Sequence, residues 1–95
     1  MDMTDEEHLE ELRREIVAVD GQLVALLARR LALVEEVGRV KRRLGLPTLD
    51  PTREAEVVRR AAELARANGV DPELARDVLW RIMAHARNVQ DTRGE

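Results

Sequence analysis

Apolar residues recur along the first 44 positions at alternating steps of three and four, the spacing of one face of a coiled helix. With Leu9 as heptad position a, the a and d residues are Leu9, Leu12, Ile16, Val19, Leu23, Leu26, Arg30, Leu33, Val37, Val40 and Leu44. Ten of these eleven are apolar, and Arg30 interrupts the seam at its middle. Val17, Val24 and Leu31 add a second apolar row, and Leu27 and Val34 a third. Such a helix needs covering on more than one side.

Two interruptions then divide the chain, Gly45-Leu46-Pro47-Thr48-Leu49-Asp50-Pro51 and Asn68-Gly69-Val70-Asp71-Pro72. Each holds a glycine that can take the left-handed conformation after a helix end, then an aspartate N-cap, then a proline suited to a first helical turn. The pattern predicts helices over about 5–43, 51–68 and 72–91. The third helix carries Leu74, Val78, Leu79, Ile82, Met83, Ala86 and Val89 as its apolar stripe. Trp80 falls outside that stripe and is expected against a second chain or under the loop before the second helix.

The first helix is too long to be sheathed by the other two. At 1.5 Å per residue it is a rod of roughly 58 Å, against about 27 Å and 30 Å for its companions. A compact chain of this size has a radius of gyration of only about 12–13 Å. The economical solution is a homodimer with the long helices packed together under twofold symmetry.

Composition agrees with an all-α domain over residues 1–95. Leu, Ala, Arg and Glu dominate, and Trp80 is the only aromatic, whereas a β-sandwich fills its core with aromatic and β-branched pairs. Without cysteine there is no disulfide framework, thiol nucleophile or thiolate metal site. The acidic start lacks the apolar run of a signal peptide, and no stretch approaches the ~20 apolar residues that span a bilayer. A soluble, cytoplasmic protein without membrane association is expected. The net charge of −3 and the lack of stacking aromatics argue against nucleic acid as a partner.

Several polar residues do not suit the faces they occupy. Arg30 has two open readings: a stem packed on the seam with its head reaching water or a carboxylate, or a cation kept for a ligand. Arg13 and Lys41 share heptad position e, which borders the seam. They lie about 25 Å and about 16 Å along the axis from Arg30, too far for one small ligand to touch all three in one rod. An antiparallel second chain would bring its Arg13 toward Arg30 and Lys41. In the second helix, Asp50 and Glu54 suit an N-terminus, whereas Arg53 opposes the helix dipole there. Gln90 lies one turn beyond Ala86 on the third helix. His8 and His85 have no second histidine at helical spacing, so no metal site is expected.

Taken in order, Leu12-Arg13, Asp20, Leu26-Leu27, Arg30, Val37-Gly38-Arg39-Val40-Lys41, Pro47, Asp50-x-x-Arg53-Glu54 and Gln90 form a set that resembles the all-helical (type II) chorismate mutases. The resemblance runs from about residue 9 to 91. It implies an intertwined homodimer with two equivalent, shared active sites and the Claisen rearrangement of chorismate to prephenate, a branch step toward Phe and Tyr. It further implies that Arg30, and Arg13 from the other subunit, hold the two substrate carboxylates. Lys41 and Gln90 would donate to the ether oxygen, Glu54 with Asp50 would bind the ring hydroxyl, and Arg53 would assist at the edge of the site. Ala86 stands where the family often has a hydroxyl residue, which implies weaker binding and the same reaction. No cofactor or metal is implied, and a pathway enzyme is a candidate partner.

The reaction needs no nucleophile or proton transfer, which agrees with the residues present. It gains from holding a flexible dianion in its compact conformer and from donors aimed at the ether oxygen. Two other readings are weighed against it. Isochorismate-pyruvate lyases are similar to these mutases, but their counterpart of residues 50–54 lacks the Asp-x-x-Arg-Glu arrangement. A non-catalytic dimerisation or regulatory module would explain the seam and the caps, and would leave Arg30 as an unexplained cost.

Overall fold

The computed structural model describes residues 2–93, with side chains described for residues 2–88. Among these, all regular structure is helical: α1 (Asp5–Leu44), α2 (Pro51–Ala67) and α3 (Pro72–Arg93). The ends fall within two residues of those read from the pattern, and local chemistry sets each one.

Thr4 opens α1 through a reciprocal box. Its hydroxyl accepts from the Glu7 N–H at 3.1 Å, and the Glu7 carboxylate accepts from the Thr4 N–H at 3.2 Å. Asp5, Glu6 and Glu7 fill the first turn and Lys41, Arg42 and Arg43 the last, both complementing the helix dipole. At the C-terminus the Gly45 N–H donates to the Arg42 carbonyl and the Leu46 N–H to the Lys41 carbonyl. This paired closure uses a left-handed residue, and Gly45 has φ +72°.

The end of α2 repeats that chemistry. Gly69 has φ +70°, its N–H donates to Arg66, and the Val70 N–H donates to Ala65. Apart from the adjoining residues, no atom of the described residues lies within 4 Å of a Cβ added at Gly45 or Gly69, so alanine there meets strain alone. Gly45→Ala and Gly69→Ala are each expected to lower stability by about 1–2 kcal/mol. The check is a fall in urea midpoint at fixed protein concentration.

Asp50 is the N-cap of α2, with its Oδ1 accepting from the Arg53 N–H at 3.1 Å and Pro51 following it. Asp71 accepts from the Glu73 N–H at 2.9 Å as α3 begins. Both aspartates therefore satisfy amides that a helix start leaves without intrahelical partners.

The chain divides into two compact units, Met1–Leu33 and Val34–Glu95. The first is helical from Asp5 onward, and within it only Glu11, Arg30 and Leu31 are partly buried rather than exposed among the described residues. Its apolar seam is bare: Leu9, Leu12, Ile16, Val19, Leu23, Leu26 and Leu33 are all exposed. In the second unit α2 and α3 pack along each other. Ala62 and Ala65 of α2 and Met83 and Ala86 of α3 are its buried apolar residues. Alanines at these positions leave little side chain between two helices, which permits a close hairpin. Gly38 is the buried residue of α1. Trp80 is 46% exposed, so the loop before α2 does not cover it.

Candidate active site

The second unit gathers candidate residues from three consecutive pieces of chain: the last turn of α1, the loop to α2, and the first turn of α2. Lys41 is half-buried, and its Nζ donates to the Thr48 carbonyl at 3.1 Å. That bond ties the end of α1 to the loop two residues before the α2 N-cap. An ammonium has three donors, so two remain for a ligand.

Asp50 is half-buried and holds the cap described above. Arg53 is exposed, and its guanidinium lies 3.4 Å from the Glu56 carboxylate. Glu54 faces inward, with its side chain only 16% exposed. Its Oε2 lies 3.5 Å from Nε of Arg87 on α3. This ion pair crosses the hairpin, unlike the Arg53–Glu56 and Arg76–Glu73 pairs, which run along their own helices.

Arg87 did not emerge from the sequence pattern, although a signal for it exists. Residues equally far from the turn of an antiparallel helix pair meet across it. Glu54 and Arg87 lie nearly symmetrically about the Asn68–Asp71 turn. Nothing in the apolar stripe of the third helix marks Arg87, which lies beside that stripe as one of several basic residues.

Ala86 is buried in α3, so no hydroxyl is available at that position for a ligand. Gln90 lies on the backbone of α3, and its side chain falls outside the described residues. In α1, Glu36 accepts from Arg39 at 2.6 Å and lies 3.9 Å from Arg43. The Arg39 hydrogen bond, then its charge, holds the Glu36 carboxyl below the usual carboxylate range. This cluster is exposed and belongs to the helix surface.

The first unit holds the other two candidates. Arg30 is half-buried within the seam and has no hydrogen-bond or ion-pair partner among the described residues. Arg13 is exposed and pairs with Glu10 at 3.2 Å, one turn back on the same helix. Such an exposed pair is worth at most about 1 kcal/mol and is easily exchanged for a stronger anion. Among the described residues, no three His, Asp or Glu side chains are placed to hold a metal ion. No helix is long and apolar enough to cross a membrane, again among the described residues.

Comparison with known proteins shows the family of the chain. Residues 12–91 match the family described as chorismate mutase type II. The chain is 46% identical over 83 residues to the T-protein of Enterobacter agglomerans, covering 87% of this chain and 22% of that protein. It is 34% identical over 89 residues to the 4-amino-4-deoxychorismate mutase of Streptomyces venezuelae, covering 94% of this chain and 86% of that one. Among solved structures, the form II chorismate mutase of Thermus thermophilus superposes with a TM-score of 0.80 at 29% identity. That alignment covers 90% of this chain and 96% of the Thermus chain.

Proposed function

The chain belongs to the type II chorismate mutase family, and from that premise we propose that it rearranges chorismate to prephenate as a homodimer with shared active sites. The observation that carries this reading is the span of the family match. Residues 12–91 include every candidate site residue from Arg13 to Gln90. On this reading residues 1–95 act as one chorismate mutase domain, in the cytoplasm and without a cofactor.

The roles follow from charge. Arg30 and Arg13 of the partner subunit hold the two carboxylates, which replaces bulk-water freedom with a fixed reactive conformer. Lys41 is held by Thr48 and Gln90 by the α3 backbone. Both donate to the ether oxygen, where negative charge grows as the C–O bond breaks. Glu54, with Asp50 one turn before it at the N-cap, accepts from the ring hydroxyl, and Arg53 adds a cation at the rim. Of the two ring substituents that distinguish chorismate from 4-amino-4-deoxychorismate, this reading assigns the hydroxyl.

A second copy of the chain is the partner because the apolar a and d residues of α1 are exposed throughout the first unit. A contiguous apolar stripe of that kind marks an association surface. A pathway enzyme is a further partner, since the similar segment makes up only 22% of the T-protein and is there joined to other sequence.

The test is consumption of chorismate by the purified chain, with prephenate identified through its acid conversion to phenylpyruvate. No turnover by a folded dimer would overturn the reading and direct the assay to isochorismate. Sharing of sites has its own check. Mixing Arg13→Ala with Lys41→Ala subunits is expected to restore about a quarter of wild-type activity after random exchange, one intact site in each heterodimer. No recovery after confirmed exchange would place Arg13 outside the partner's site.

A further inference from the structure

Resting on the chorismate reading above, we propose that Arg87 determines specificity. Its guanidinium occupies the charge of Glu54, so the site takes a neutral hydroxyl at the ring position that Glu54 contacts and rejects a protonated amine there.

The argument starts from the crossing ion pair. Glu54 is the most shielded acidic side chain among the ion pairs of the chain's described residues, at 16% exposure, and Arg87 approaches its Oε2 at 3.5 Å. A carboxylate has about four lone-pair sites, so one guanidinium contact leaves acceptors for a hydroxyl. The hydroxyl adds no charge and loses nothing to the presence of Arg87. An ammonium in the same place is a second cation beside the guanidinium. One carboxylate cannot offset both, and their repulsion grows where burial lowers the effective dielectric.

The surroundings do not relieve that repulsion. The Asp50 Oδ1 accepts from the Arg53 N–H and Glu56 lies against the Arg53 guanidinium, so among the ion pairs of the described residues Glu54 alone faces Arg87. The first turn of α2 adds the positive end of a helix dipole. Without Arg87, Glu54 would be a shielded carboxylate lacking a counter-charge, for which an ammonium is the better partner. Discrimination at this ring position matters for this fold, because a relative of 34% identity is named for the 4-amino compound.

The experiment compares kcat/KM for chorismate and for 4-amino-4-deoxychorismate on the full chain, for wild type, Arg87→Met and Arg87→Lys. Wild type is expected to prefer chorismate. Arg87→Met is expected to move the ratio about tenfold toward the amine, chiefly through a lower KM for it. Arg87→Lys keeps the charge and is expected to keep most of the preference. A merely structural role for Arg87 would depress both substrates together and leave the ratio alone.

An unchanged ratio in folded Arg87→Met overturns the proposal, as does a wild-type preference for the amine. Should Arg87→Met fail to fold, Arg87→Gln removes the same charge with a polar side chain and carries the comparison. A wild-type protein inert toward both compounds would instead overturn the mutase reading beneath it.

Discussion

On the proposed reading of a homodimeric mutase, Arg30→Leu is expected to abolish prephenate formation, by at least about 10³-fold in kcat/KM, while the protein remains folded and gains stability. The two effects have one cause. Arg30 sits at an a position of an otherwise apolar seam, half-buried, with no internal counter-ion among the described residues. A guanidinium placed there is unfavourable for packing until an anion arrives to pair with it. Leucine completes the seam, for which a gain of about 1 kcal/mol or more in dimer stability is the natural scale. The measurements are turnover and the urea midpoint, both at fixed subunit concentration because dimer stability depends on it. Full activity in Arg30→Leu would remove Arg30 from the site. A loss of activity with a loss of stability would return it to a structural role.

Lys41→Ala is expected to lower kcat by about 10²–10³-fold with a much smaller rise in KM. The split follows from where charge appears. The ether oxygen of the bound substrate is nearly neutral, and becomes a strong acceptor only as its bond to carbon breaks. A donor aimed at that atom therefore acts mainly in the transition state. Gln90→Ala should show the same split. Lys41→Ala should also lower stability by about 1 kcal/mol, because it removes the bond from Nζ to the Thr48 carbonyl. Equal losses in 1/KM and kcat, or a KM effect alone, would make Lys41 a ground-state binder.

The parts of the fold legible in the sequence are those governed by neighbours along the chain. Gly45 and Gly69 end their helices because only a left-handed residue lets the paired N–H groups reach back to the last turn. Asp50 starts α2 because its side chain reaches an amide three residues on. The Thr4 and Glu7 box is just as local, and was masked by the acidic run around it. The candidate site is different. Glu54 reads from sequence as a carboxylate complementing a helix dipole, and that explanation is complete without a partner. Only the packing of α3 on α2 brings Arg87 to it.

Sequence by itself determined the helix count, the chain's preference for helix and the family to which it belongs, and it offered the candidate site residues apart from Arg87. These rest on periodicity, capping and an ordered set of side chains, all of which act over short separations or are simply present. The tertiary structure decided which of those side chains already have partners. Lys41 is tethered to Thr48, Glu54 is paired with Arg87, and Arg30 is left unpaired among the described residues on an exposed apolar face. The physical reason is that an ion pair between residues 54 and 87 depends on the antiparallel return of a helix. No property of either residue alone encodes that return.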